Sequence, residues 1–233
     1  MKKILIAICI VLGLTASAQE KVNEVRTVNE NFTSISASDG VELVLTQADA
    51  VSVHAGAAQQ KYLEHLKTVV ENGVLKIYYD DKNWAKGSGR KLLKVEVSLP
   101  KLTKLVINDG STAINTNQFD ADDIQIQCND GSTVKLKNFN ANTLSALVKD
   151  GSTMLLKGKT TKLNVEVKDG SSFNGDEFVT EVCDANANDG SSVKLNVTKE
   201  LTATAHDGSS IQYEGSPAIK KTTAKDGSSI KKS

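Results

Sequence analysis

Seven carboxylates and seven hydroxyls recur in the second half of this chain in one fixed grouping, Asp-Gly-Ser followed by Ser or Thr. Asp109, Asp130, Asp150, Asp169, Asp189, Asp207 and Asp226 open the groups; Ser111, Ser132, Ser152, Ser171, Ser191, Ser209 and Ser228 stand two residues later. Such carboxylates can act as general acids or bases, bind a hard cation, or accept backbone hydrogen bonds at a bend. Catalysis needs unlike groups converging on one point, and the same Asp repeated seven times does not supply them. His54, His65 and His206 are scattered without metal-ligand spacing, and no Ser-His-Asp or Cys-His arrangement is visible. The chain therefore reads as a non-enzyme. Ca²⁺ takes six to eight oxygens, for which one Asp and one Ser per group is thin provision, and the G-G-x-G-x-D nonapeptide of calcium-binding β-rolls is absent. No catalytic residue, metal site or cofactor is expected, with a calcium-stabilised rod the one ion-dependent alternative.

The elements that position these groups follow from their spacing. Successive Asp lie 21, 20, 19, 20, 18 and 19 residues apart. A near-constant period of this size marks stacked repeats, each burying its apolar face on the next. Ile107, Cys128, Val148, Val167, Ala187, Ala205 and Ala224 stand two before each Asp. Ala113, Val134, Met154, Phe173, Val193, Ile211 and Ile230 stand four after it. The intervening residues are mainly polar. This alternation predicts two half-buried strands with an Asp-Gly-Ser corner between them and a polar return turn, such as 136–144. About 19–20 residues per circuit suits a coil of a β-solenoid, and seven coils would span about 34 Å.

If the strand stays regular up to the bend, each Asp shares the parity of the buried columns and points inward or into the corner, as does each Ser. Gly supplies the positive φ of a tight bend. Carboxylates about 4.8 Å apart repel, so such a ladder needs hydrogen bonds from Ser hydroxyls and backbone N–H groups. The next residues, Thr112, Thr133, Thr153, Ser172, Ser192, Ser210 and Ser229, form an outward ridge that is the candidate interaction surface. Cys128 and Cys183 fall in core columns three coils apart, about 14 Å, beyond the reach of a disulfide, and are expected as buried free thiols.

Residues 1–18 read as a signal peptide: Lys2 and Lys3, an apolar run from Ile4 to Leu14, and a small-x-small site at Ala16–Ala18. Without them the chain has 26 basic and 28 acidic residues, which suggests no nucleic-acid partner, and it has no second apolar run long enough to span a membrane. Aromatics make up only 4% of the sequence, against a cleft lined by stacked rings. Residues 19–107 form an N-terminal β segment and cap, continuous with the repeats of 108–233. Within the segment, Ile35–Leu45 carries the corner register around Asp39-Gly40 without the Ser pair. Val51–Val53, Leu75–Tyr79 and Val95–Leu99 read as strands, and 58–66 as one short helix with Tyr62, Leu63 and Leu66 on one side. At the far end, Lys231 and Lys232 oppose strand addition but make a meagre cap, so end-to-end self-association is open.

The runs Val25–Val28, Phe32–Ile35, Gly40–Leu43, Val74–Ile77 and Val95–Leu102 resemble the family of putative auto-transporter adhesin head domains called GIN, over about residues 24–230. Members of that family often carry Ser-Gly-Ala/Ser at the corners, where this chain carries Asp-Gly-Ser. The resemblance implies an all-β, right-handed parallel β-helix and transfers no functional residues. It implies an exported, non-catalytic surface interaction module in the periplasm, on the outer membrane or outside the cell, with a surface, glycan or protein partner. An envelope structural protein without a dedicated partner is the alternative.

Overall fold

The computed structural model describes residues 22–80 and 90–233; the expected signal peptide, 1–18, lies outside the described residues. The molecule is all-β, with a β-solenoid of about six turns and an N-terminal strand-rich part. The N-terminal strands are β1 (Val22–Val25), β2 (Ser34–Ala37), β3 (Glu42–Gln47), β4 (Ser52–Ala57), β5 (Leu66–Glu71), β6 (Val74–Tyr79) and β7 (Lys94–Leu99), with helix α1 (Gln60–Leu63) between β4 and β5. The solenoid continues through β8 (Lys104–Ile107), β9 (Thr112–Asn115), β10 (Phe119–Cys128), β11 (Thr133–Val148), β12 (Thr153–Val167), β13 (Ser172–Ala187) and β14 (Ser192–Ala205). It ends with β15 (Ser210–Glu214), β16 (Ile219–Ala224) and β17 (Ser229–Lys232).

Parallel pairing aligns the columns read from the sequence. Ile107, Cys128, Val148, Val167, Ala187, Ala205 and Ala224 pair in succession. So do Ala113, Val134, Met154, Phe173, Val193, Ile211 and Ile230. Nearly all are fully buried, and together they form one continuous apolar core along the stack.

The return segment is not a turn. Burial along β11 alternates over 133–136, shifts parity at Lys137-Asn138, alternates again, and shifts once more at Asn142-Thr143 before running to Val148. With the Asp-Gly corner, each circuit therefore has three sides. The second side, short and also paired, places Phe119 against Phe139 and Phe139 against Gly158. It exists because Phe139 is too large an apolar surface to leave in water. Asn138, at φ 51°, makes the sharp turn that leads into it.

Volume on this side is balanced between circuits. Phe119 and Phe139 lie with ring centroids 6.4 Å apart, and Phe139 stacks on Phe178 at 6.1 Å although a whole circuit separates them. Gly158 occupies the intervening rung, at φ 139°, and a Cβ there would lie 2.0 Å from the Phe139 carbonyl oxygen. Differences in repeat length are absorbed next to this side: the register between β11 and β12 shifts between Leu136 and Phe139, and that between β12 and β13 between Leu155 and Gly158.

The N-terminal part is interleaved with the solenoid. β2 pairs in parallel with both β6 and β8, and β3 with both β7 and β9. The Asp39-Gly40 circuit thus lies inside the stack, between residues 74–99 and 104–115. β4 then runs antiparallel to β7, β1 antiparallel to β4, and β5 antiparallel to β6. The helix expected over 58–66 is shorter, Gln60–Leu63; Tyr62 and Leu63 are buried as expected, but Leu66 is buried from β5, where it pairs with Tyr79. The β-branched run Thr68-Val69-Val70 favours that extended pairing over another helical turn. At the opposite end β16 pairs with β14 and β17 with β15, and all six residues of β16 are exposed.

Both cysteines are buried and free. Burial pushes the Cys128 thiol up to about 11, and raises that of Cys183 too. Both thiols should resist alkylation in the folded protein at neutral pH and react in denaturant without reductant; a chain from Gln19 that titrated no thiols when unfolded would contradict the register. Gly158→Ala should lower unfolding free energy by at least about 2 kcal/mol in urea, because neither Phe139 nor its backbone can retreat from the added methyl.

Candidate functional site: corner, ridge and groove

The Asp-Gly corners lie in one column, but not as strand parity implies. Every corner Asp has positive φ, from 51° at Asp226 to 64° at Asp39, and so does the Gly that follows. Two consecutive left-handed residues turn the chain within two positions, the conformation for which Asp-Gly is suited. The left-handed Asp leaves the strand parity, so its carboxylate is exposed at the corner; of the two placements expected, inward or into the corner, the inward one does not occur. Ser, past the turn, returns to parity and is buried at every corner from Ser111 to Ser209, with Ser228 half-buried.

The corner is held by the backbone and by Ser. Each Gly N–H donates to the Asp carbonyl of the next circuit, from Gly40 to Asp109 through Gly208 to Asp226, at 2.9–3.0 Å. The Ser hydroxyls accept from the backbone of the previous circuit. Ser152 Oγ takes the Ser132 N–H, Ser171 Oγ that of Ser152, and Ser209 Oγ that of Ser191, each at 3.1 Å. At the Asp39 circuit, Val41 fills the Ser position and donates its N–H to Ser111 Oγ at 3.1 Å. Ser111 N–H donates instead within its own turn, to the Asn108 carbonyl, and the buried Ser132 Oγ is left without a partner.

The exposed carboxylates are screened by water and by scattered cations. Lys149 pairs with Asp150, and His206 Nδ1 lies 3.6 Å from Asp226 Oδ2, whereas Lys168 turns to Glu166. Asp39 Oδ2 accepts from Ser38 Oγ and the Tyr79 N–H. Partial burial, followed by the neighbouring charges of Asp39 and Asp130, raises the Asp109 carboxyl above its usual range. Among the described residues, no group of three or more His, Cys, Asp or Glu side chains stands where it could hold a metal ion.

The ridge forms one line: Thr112, Thr133, Thr153, Ser172, Ser192, Ser210 and Ser229 pair in succession along the first side of the circuits, and Glu42 continues the line below Thr112. Thr153 and Ser192 are exposed and the other five half-buried.

A second surface, which sequence reasoning missed, lies on the second side. A groove of about 710 Å³ crosses the rungs of β10 to β14. Its rim is polar: Asp120, Asp122, Asn140, Asn142, Lys159 and Glu181. Asn140 Nδ2 donates to Asp120 Oδ1 at 2.7 Å and Gln118 Nε2 to Asp120 Oδ2 at 2.9 Å. These two hydrogen bonds hold the Asp120 carboxyl below its usual range. Lys101 lies 3.6 Å from Asp122, and Lys199 lies 2.7 Å from Glu181. The N-terminal wall is fixed by Gln47 of β3, whose Nε2 donates to the carbonyls of Pro100 and Asp120 while its Oε1 accepts the Asp120 N–H at 2.8 Å. The signal available in the sequence was the alternation Phe139, Ala141 against Asn140, Asn142 within a run that otherwise looks like a loop.

The pattern of the family described as "Putative auto-transporter adhesin, head GIN domain" matches residues 31–217. No curated protein matches. Crystal structures supply the neighbours in shape. A putative adhesin from Bacteroides fragilis superposes with a TM-score of 0.85 at 17% identity, covering 93% of this chain and 98% of its own. A putative lipid binding protein from Parabacteroides distasonis gives 0.73 at 16% identity, with the same coverage. A putative adhesin from Parabacteroides merdae gives 0.59 at 12%, covering 93% and 97%. At these identities the likeness is one of fold.

The raised Asp109 carboxyl fixes the sign of a pH effect. The folded state keeps this proton to higher pH than the unfolded chain, so the group's contribution to stability is lost as pH rises through a window starting near the ordinary carboxylate value of about 4. Asp109→Asn, which cannot ionise and tolerates positive φ, should raise Tm at pH 7 by about 1–2 °C and bring no gain at pH 3. Calorimetry at the two pH values checks this; a loss at pH 7 would mean the carboxylate is needed.

Proposed function

The chain belongs to the head GIN domain family of putative auto-transporter adhesins, and from that premise we propose that it is an exported, non-catalytic interaction module that binds a surface through side chains repeated along its solenoid. The observation that supports this reading most is the register itself. Parallel pairing carries seven short hydroxyl side chains in one straight row, about 4.8 Å apart, on a support whose core is continuous and whose corners are hydrogen-bonded at each rung. Such a row needs little ordering on binding, because its backbone is already fixed and Ser and Thr have few rotamers to lose. Many weak contacts from equivalent rungs add without any one dominating, which suits an extended partner better than a small molecule.

The reading of export is supported by the leader-like pattern of residues 1–18 and by family membership. The corner Asp and Ser have a structural role in this reading, and the ridge makes the contact.

The experiment is saturable binding of the chain from Gln19 to bacterial envelope and host-surface preparations. Thr133→Lys, Thr153→Lys and Ser172→Lys combined should leave the circular dichroism spectrum unchanged and reduce that binding at least tenfold, since the lysines stand over the row on its outward side. Undiminished binding by a folded triple variant would remove the ridge from the proposal, and no saturable binding by the parent protein would remove the proposal itself.

A further inference from the structure

The groove on the second side is separate from the ridge, and we infer that it is a binding site for a single extended, uncharged, hydroxyl-rich chain, an oligosaccharide. The inference goes beyond the surface contact proposed above and does not depend on it.

Four observations lead there. The first is shape. The groove crosses about five rungs, or about 19 Å, along the solenoid axis, the length of a few linked sugar rings. The second is its two-part chemistry. Ala121, Ala141 and Thr160 stack in one column along the groove and form a small, largely apolar floor, and Val179, 42% exposed, stands outward in the flanking row after Asp120, Asn140 and Lys159. Donors and acceptors flank this floor: carboxylates that only accept, a lysine that only donates, and the amides of Asn140 and Asn142, which do both. A sugar ring has the same division, with C–H groups on its faces and hydroxyls at its edge.

The third observation is charge. Asp122 faces Lys101, Glu181 pairs with Lys199, and Asp120 is held by two amides with Lys159 nearby. The rim charges answer one another, so the groove has no single-signed field to select a polyanion or polycation. The fourth concerns peptides. Along the groove β10 to β14 pair successively in parallel, and at the N-terminal end the Asp120 N–H and carbonyl are taken by the Gln47 side chain, which leaves little edge there for an extended peptide to add as a strand.

The rim is also pre-set. Gln47 ties the Pro100 wall to the Asp120 backbone through three hydrogen bonds, and Asn140 and Gln118 orient the Asp120 carboxylate. Directional partners held this way favour a ligand recognised by hydroxyl geometry. With no aromatic ring in the floor, affinity rests on hydrogen bonds and a small apolar contact, and a dissociation constant of about 0.1–1 mM for a single oligosaccharide is expected.

The test titrates cellohexaose, mannohexaose and maltohexaose into the isotope-labelled chain from Gln19, following backbone amide shifts. Polygalacturonate and a polyproline decapeptide serve as charged and peptide comparisons. At least one neutral hexasaccharide should shift Ala121, Ala141 and Val179. Asn140→Ala should weaken it at least fivefold, and Val179→Glu, an outward change that leaves the core untouched, should abolish it. The ridge triple variant should bind it as the parent does. The inference is overturned if no neutral hexasaccharide shifts these residues, if folded Val179→Glu binds undiminished, or if only the polyanion or the peptide occupies the groove. Loss of envelope binding by the ridge variant with hexasaccharide binding intact would support both proposals; envelope binding without any hexasaccharide binding would sink this one alone.

Discussion

Everything in this molecule depends on one repeated backbone contact, the hydrogen bond from a corner Gly N–H to the Asp carbonyl of the next circuit. It forms only if both residues of the corner take left-handed conformations, so that the peptide between them faces along the stack. Gly does this at no steric cost, and Asp is among the few side chains that do so readily. Once the contact is fixed at one circuit, the strands on either side are held in register, and the apolar columns follow. The buried Ser adds a second tie beside it, accepting a backbone N–H that the turn would otherwise leave without a partner inside the protein. The Asp-Gly-Ser grouping is therefore a device for stacking: two residues set the direction of the chain and the third joins it to its neighbour.

A rigid corner obliges variation to settle elsewhere. Repeat length changes between circuits, yet the strands next to the corner stay aligned, and the shifts fall at the two ends of the second side. Side-chain volume is redistributed there as well, with Gly158 leaving the room that lets Phe139 and Phe178 meet across a circuit. The irregular side also carries the groove of about 710 Å³. Parts of the outer face that differ from rung to rung can hold unlike groups such as Asp120, Asn140, Lys159 and Val179 in one row, whereas the face beside the corner repeats Thr and Ser.

What was legible in the sequence was whatever the period enforces. The columns through Ile107 and Ala113, the Asp39 circuit and the separated cysteines all follow from counting between Asp-Gly pairs, because parallel stacking turns a fixed spacing into a fixed position. The Asp side chain was misplaced because parity was carried through a residue that takes positive φ, where alternation no longer applies. The second side was hidden because its apolar signal is only two residues long per circuit, Phe139 and Ala141 among four polar neighbours, and in the next circuit it is reduced to Gly158 and Thr160. Beyond the alternation of Phe139 and Ala141 with Asn140 and Asn142, the groove left no mark in the sequence, since its wall depends on Gln47 reaching a loop and a strand more than fifty residues away.

The interleaved Asp39 circuit has a consequence for how the chain comes to be folded. Most circuits close on a neighbour about twenty residues away, but Gly40 must find Asp109, and Ile35 must find both Leu75 and Leu105. Closing that longer loop costs about 1 kcal/mol more in chain entropy than closing a single repeat. The segment emerging early from a ribosome or translocation pore thus has no complete seat until a later stretch of polypeptide has followed it out. This threading order runs against assembly by successive addition from the N-terminus: the first solenoid layer to be synthesised is an interior layer, seated between residues 74–99 and 104–115, and its absence would open a gap between circuits instead of shortening the stack from one end.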